Sequence, residues 1–304
     1  MTIIRSIGCK NKMDLANISV NKISAVIKQC RFFVLPLGLL AIISGYILTK
    51  NYSLVQLFWA SLSFLFVHIF MASANNTGDV VSDRTSKIMS SQNPIVTNGL
   101  TLREARIMNF ITPLLAITTS IFAGPYWTLG ILIGIGLVVI YDVKPFRMKD
   151  KPSGILIPPL YIALPFLFAY VNTTSHTAFS LSVPLIFTFL FFNGITSVRH
   201  VPDFEKDLQM NVRNFTSSYS IEATRILELA VSIVLPIILT VAILLNYLSV
   251  LGLPLLILTT SFRLRVLIKS NNVLKNPQVW TRFAQFMVVN SSAIVFSIVG
   301  KVFG

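Results

Sequence analysis

The sequence predicts an all-α polytopic membrane protein with about nine transmembrane helices around a central cavity. Three observations lead there. Of the 304 residues, 54% are hydrophobic and only 12% are charged, against roughly 25% charged in an average soluble protein. The hydrophobic residues fall into runs that span, or nearly span, a bilayer; in Leu54 to Ala74 the only acidic or basic residue is His68. The formal charge of +14 is spread over short loops between those runs, as orientation charges are. It is not gathered on a polar domain, as nucleic-acid binding would require.

Residues 1–31 are polar and basic (Arg5, Lys10, Lys12, Lys22, Lys28, Arg31), with Leu15, Ile18, Ile23, Val26 and Ile27 at helical spacing. They are expected to form a cytoplasmic segment with an amphipathic helix at the membrane surface. A signal peptide does not fit, because the charged region is too long and no small-residue cleavage site follows the apolar run. Residues 32–304 are expected to form a single transmembrane domain. Its helices are expected at 32–48, 54–74, 107–122, 127–140, 155–171, 178–198, 226–245, 248–260 and 283–298, with kinks at Pro158, Pro159 and Pro165. The turn between the third and fourth is Gly124-Pro125. On this layout every acidic residue, Glu228 included, falls on the side of the N-terminus. Nearly all Lys and Arg share that side, leaving Lys50 and Lys301 opposite. The excess of positive charge makes that side cytoplasmic.

Asn75, Asp79 and Asp83 stand at steps of four, which a helix brings onto one face. That face closes an apolar run, so its carboxylates lie where a membrane helix meets water. Asp203 and Asp207 repeat the step at the end of another apolar run. Two such pairs suggest one shared divalent-metal site. The chain also looks duplicated. Each pair ends the second helix of a four-helix set, and Thr101-Leu-Arg-Glu-Ala is echoed by Ser220-Ile-Glu-Ala. Both echoes read as helix N-termini, the first as a capping box through Glu104. A parallel repeat across a cavity would bring the two acidic ends face to face.

In order, the chain carries Asn75-x-x-x-Asp79-x-x-x-Asp83, Pro94 followed by Gly99-Leu-Thr-x-x-Glu-Ala, Tyr141-x-x-x-Pro-x-Arg-x-Lys, and Asp203-x-x-x-Asp207. This series resembles UbiA-type intramembrane prenyltransferases over most of the chain. The resemblance implies a multi-pass protein of the cell membrane or an equivalent organelle membrane. It implies Mg2+ held by Asn75, Asp79, Asp83, Asp203 and Asp207, the four aspartates being catalytic. It implies a polyprenyl diphosphate donor whose diphosphate is met by Tyr141, Lys144 and Arg147. The prenyl group would pass, through an allylic carbocation screened by aromatic faces, to a lipophilic or aromatic acceptor. Membrane lipids are the remaining partners, and nucleic acid is not one.

Asn76, Asn93 and His200 depart from the family pattern. Asn93 stands where an arginine often precedes Pro94, which removes a cation and favours an acceptor without strong negative charge. A non-catalytic isoprenoid binder would not need four metal carboxylates. A transporter using membrane-edge carboxylates should also carry acids near mid-membrane, and the expected spans have none. His68 reads as a hydrogen-bonded core residue, because no Cys or second His stands at ligand spacing. Lys149 and Lys151 read as orientation charges, and His176 falls on the opposite side. Cys9 and Cys30 face a reducing compartment and imply no disulfide.

Overall fold

The computed structural model of the protein describes residues 22–49, 53–85, 92–173, 181–269 and 274–304. The expected features at Leu15, Ile18, Cys9, Lys50 and His176 lie outside them. A helix over residues 22–30, α1, precedes α2 (Leu35–Leu48), α3 (Leu54–Gly78) and the short α4 (Val80–Arg84). Then come α5 (Leu102–Ile121), α6 (Pro125–Asp142), α7 (Ile157–Thr173), α8 (Ser182–Gly194), and the short α9 (Phe204–Gln209) and α10 (Phe215–Tyr219). The chain ends with α11 (Ile221–Leu244), α12 (Leu253–Ile268) and α13 (Pro277–Val302). Among the described residues there is no strand.

Eight helical stretches are long and apolar enough to cross a membrane, with Lys22–Leu48 taken as one of them. The 20-residue α5 is outside that set; Arg103, Glu104 and Arg106 crowd its first turns. The eight are close to the nine expected. Boundaries moved for local reasons. α1 and α2 are separated at Arg31, which takes a left-handed φ of 46°. α3 runs one turn past Ala74, because the polar residues Asn75, Asn76 and Thr77 stay in the helix by pairing with neighbours. α11 begins at Ile221, five residues before the expected Ile226, once Ser220 Oγ caps it by accepting from the Ala223 amide at 3.1 Å. Glu228 therefore lies inside a span and not at its edge. Of the three prolines near helix five, Pro158 and Pro159 occupy the first turn of α7, where the missing N–H costs nothing. Only Pro165 is interior.

α2 packs against α7, and α3 against α5. α13 closes the bundle between α2 and α12. The approach of α2 to α7 depends on Gly45, where an added Cβ would meet the Phe166 carbonyl oxygen at 2.5 Å. The two halves share local geometry. Thr101 and Ser220 both cap helices as expected, Thr101 in a full capping box with Glu104. Asp79 and Asp203 have nearly the same backbone conformation, φ −97° with ψ 1° and φ −97° with ψ 7°, and each starts a short helix.

Candidate functional site

The break at Asp79 does not undo the step of four. The Asp79 amide donates to the Asn75 carbonyl at 3.0 Å and the Asp83 amide to the Asp79 carbonyl at 2.7 Å, so the three side chains stay on one side. Asp203 and Asp207 repeat this, with an amide-to-carbonyl distance of 2.8 Å. The second aspartate of each pair is held by an asparagine. Asn93 Nδ2 donates to Asp83 Oδ2 at 2.9 Å, and Asn214 Nδ2 to Asp207 Oδ2 at 2.6 Å. Each asparagine also accepts a backbone amide through its Oδ1, from Ile95 at 3.0 Å and from Ser217 at 3.0 Å.

Asn93 thus has a different role from the one its sequence position suggested. It is fully buried and also donates to the Asn76 carbonyl at 2.9 Å, so it braces Asp83. Asn93→Leu leaves that carbonyl and part of the Asp83 carboxylate without a donor. It should lower stability by about 1–3 kcal/mol, read as a fall in the thermal midpoint of the detergent-solubilised protein. Asn76 is also buried. It accepts from Arg31 and donates to Gln29 Oε1 at 3.0 Å, and Gln29 donates to Ser73 Oγ at 3.0 Å, which docks α1 on α3. His68 Nε2 lies 3.2 Å from the Arg31 carbonyl, as a hydrogen-bonded core histidine should.

The loop after α6 brings cations onto the first pair. Arg147 Nη2 reaches Asp79 Oδ1 at 2.8 Å and its Nη1 reaches the Gly78 carbonyl at 2.9 Å. Lys149 Nζ is 2.8 Å from Asp79 Oδ2 and 2.9 Å from Asp142 Oδ1, which also accepts from Asn75 Nδ2 at 2.8 Å. Lys144 stands exposed on the same loop, away from these carboxylates. Among the described residues Arg147 and Lys149 meet Asp79, and Lys144 makes no ion pair. The motif itself ends on Lys149, and that was the signal available.

Electrostatics separate the four aspartates. Burial pushes the Asp79 carboxyl up, but the Lys149 and Arg147 cations outweigh it and hold the group below its ordinary value. Burial raises Asp83 and Asp203, and Asp79 adds like-charge repulsion at both. Asp207 is pushed up to about 6 by burial, with Asp203 and Asp150 adding to it against the Asn214 bond. Burial opposes the Lys149 ammonium too, yet Asp142 and Asp79 carry it above the usual lysine value.

Below these groups lies a cavity of about 790 Å3. Its polar end is formed by Asn75, Asp79, Asp203, Lys149, Arg31 and Arg199, with Tyr141 and His200 beside them. Its depth is apolar and aromatic, including Phe32, Phe33, Phe64, Tyr161 and Met287. Among the described residues the Tyr161 hydroxyl has no hydrogen-bond partner. Arg199 lies over the Tyr141 ring at 5.4 Å and donates from Nε to His200 Nε2 at 3.0 Å. Asp83 and Asp207 stand behind the cavity lining.

Among the described residues no three His, Cys, Asp or Glu side chains already converge as a closed metal centre. Asp79, Asp83 and Asp207 are drawn instead onto lysine, arginine and asparagine partners. A divalent cation still fits this donor set. Carboxylate and amide oxygens are what Mg2+ prefers, and three of the four acids are raised by burial, with a neighbouring acid adding to each. A cation would relieve that repulsion.

The sequence profile of the UbiA prenyltransferase family matches residues 36–290. Several solved structures share the fold. A UbiA homologue from Archaeoglobus fulgidus bound to GPP and Mg2+ superposes with a TM-score of 0.66 at 19% identity, covering 89% of this chain and 99% of that one. A structure reported for digeranylgeranylglyceryl phosphate synthase in membranes gives 0.64 at 18%, covering 91% and 99%. The apo UbiA homologue from Aeropyrum pernix K1 gives 0.64 at 14%, covering 88% and 96%. A search of curated protein sequences finds no match.

Proposed function

The chain belongs to the UbiA prenyltransferase family, and on that premise we propose that it transfers a polyprenyl group from an allylic diphosphate to a lipophilic or aromatic acceptor inside the membrane. One observation carries the reading: the first aspartate of each pair, Asp79 and Asp203, lines one cavity whose depth is apolar and aromatic. Mg2+ is the ion, as it is in the GPP-bound relative. Asn75, Asp79, Asp83, Asp203 and Asp207 would hold it, where it supplies positive charge to the leaving diphosphate. Lys149, Arg147 and Arg31 would meet the phosphate oxygens, and Tyr141 would stand beside them. Donor binding requires Arg147 and Lys149 to exchange Asp79 oxygens for phosphate oxygens, a move between anions at short range that keeps both cations compensated. Phe32, Phe33 and Phe64 line the prenyl chain's path, and ring faces stabilise positive charge that develops at its allylic end. The same apolar walls exclude water, which would otherwise capture the cation. They also favour an acceptor with a large apolar or aromatic body.

Donor kinetics test the assignment. Lys149→Gln should raise the KM for geranylgeranyl diphosphate by about tenfold or more, the loss of one charge-assisted contact, and Lys144→Gln much less. The reverse order would contradict the placement of the phosphates. The proposed topology puts the N-terminus and the carboxylate face in the cytoplasm. Single cysteines at Ser153 and Ser217, in a background without native cysteine, should resist an impermeant thiol reagent in intact cells, while one at Ser175 reacts. Labelling at Ser217 but not at Ser175 would overturn that orientation.

A further inference from the structure

We propose that Glu228, paired with Arg263, is a positioning residue for the second carboxylate pair. It fixes the break at which the chain leaves α8, and so sets where Thr196, Arg199, His200 and Asp203 face the cavity. The inference takes its chemistry from the prenyl-transfer reading above.

The break has identifiable causes. α8 stops at Gly194, whose backbone lies against α7, so that an added Cβ would meet Pro159 Cα at 2.6 Å. Thr196 leaves helical geometry with φ −145° and ψ 77°, a single 3-10 turn follows over Ser197–His200, and Pro202 prevents the turn from continuing as a helix. Such a restart exposes unpaired N–H groups beside an apolar core. Glu228 reaches across from α11 and satisfies them. Its Oε1 accepts from the Ser197 amide at 2.7 Å, the Ser197 hydroxyl at 3.0 Å and the Val198 amide at 3.3 Å. Thr216 Oγ1 also donates to the Ser197 carbonyl at 3.2 Å, and Thr216 Oγ1 in turn accepts from Thr224 Oγ1 at 3.0 Å.

The pair lies within the membrane-spanning part of the chain, with side-chain exposures of 0% for Glu228 and 1% for Arg263. Arg263 Nη2 meets Glu228 Oε2 at 2.8 Å. Its Nε and Nη1 make no hydrogen bond among the described residues, and its guanidinium rests over the Phe283 ring at 5.3 Å. Glu228 is thus the only acid that Arg263 meets among the described residues, and Arg263 compensates its charge where water cannot.

The repeat shows why a carboxylate is needed in one half only. Asn109 stands as far beyond the Thr101 cap as Glu228 stands beyond the Ser220 cap. Asn109 Nδ2 donates to Thr77 Oγ1 at 3.3 Å, so both residues reach back from the following helix to the end of the preceding one. α3 continues unbroken to Gly78 and its amides are used within the helix, so a neutral amide suffices. α8 breaks, and the freed amides call for an anion.

The test uses purified full-length protein in detergent, with Glu228→Gln and the double variant Glu228→Gln/Arg263→Met. The double variant leaves no unpaired buried charge and should keep a thermal midpoint close to the wild type, so it decides the matter if the single variant fails to fold. Amide exchange over residues 195–203 should accelerate about tenfold, with residues 77–84 unchanged. Mn2+ affinity, read by electron paramagnetic resonance without any donor, should fall about tenfold, in keeping with one lost charge-assisted bond. The KM for geranylgeranyl diphosphate should rise with kcat altered less. Unchanged exchange over 195–203 would overturn the proposal. Faster exchange with unaltered Mn2+ affinity would also overturn it, since the pair would then only stabilise the fold. A wild type that binds Mn2+ and transfers no prenyl group would refute the prenyl-transfer reading, while the exchange and Mn2+ results would still decide the role of Glu228.

Discussion

Asp203→Asn is expected to reduce prenyl transfer by at least about a hundredfold, the scale of losing one preorganised electrostatic group, while the thermal midpoint in detergent stays at the wild-type value. Asp203 suits this test because its carboxylate makes no hydrogen bond or ion pair among the described residues. Burial, together with repulsion from Asp79, raises its carboxyl, so an amide of the same shape removes a destabilising charge and leaves no partner stranded. Among the described residues no hydrogen bond or ion pair requires that charge, and the proposed reaction would account for it. Asp79→Asn should be equally inactive but less informative, since it breaks two ion pairs at once. A stable Asp203→Asn protein with full turnover would remove the second carboxylate pair from the mechanism.

Lys149→Met is expected to cost about 3–5 kcal/mol of stability, the range for removing one partner of a buried ion pair. The side-chain exposures are 8% for Lys149 and 1% for Asp142, and among the described residues Asp142 Oδ2 already lacks a hydrogen-bond partner. Without the ammonium, Asp142 keeps the Asn75 amide and Asp79 keeps Arg147 as the polar partners that the described residues supply. Lys149→Met/Asp142→Leu should recover most of the stability, because no charge is then stranded at Asp142. It should not recover donor affinity if Lys149 meets the diphosphate. Thermal midpoints together with the donor KM separate the two roles, and recovery of both would confine Lys149 to the fold.

The carboxylate pairs were legible in the sequence because i, i+4 spacing at the end of an apolar run has a direct geometric meaning, and it survives the helix break at Asp79. The helix count was legible for the same reason: hydrophobic length is set by the bilayer. Asn93 and Lys149 were not. From sequence, Asn93 is a missing arginine; in space it is a buried brace on Asp83, a role that depends on how residues 93–97 turn back against α3. Lys149 differs from Lys144 only in which way the loop carries it, and no periodicity reports that. Glu228 was misplaced because a charged residue ordinarily marks a span's edge. Its partner Arg263 sits 35 positions away on another helix, so the compensation that allows it inside could be found only from the fold.

The central claim is Mg2+-dependent prenyl transfer, and the most direct measurement is product analysis. Purified protein is incubated with labelled geranylgeranyl diphosphate, Mg2+ and a panel of hydroxybenzoate, homogentisate, a dihydroxynaphthoate, a glycerol-phosphate lipid and a carotenoid, with Asp203→Asn alongside. The account predicts label in a prenylated product from an aromatic or lipophilic acceptor, abolished by EDTA, restored by Mg2+ and absent with Asp203→Asn. Label that stays in the diphosphate with every acceptor, or product that forms undiminished in EDTA, would contradict it.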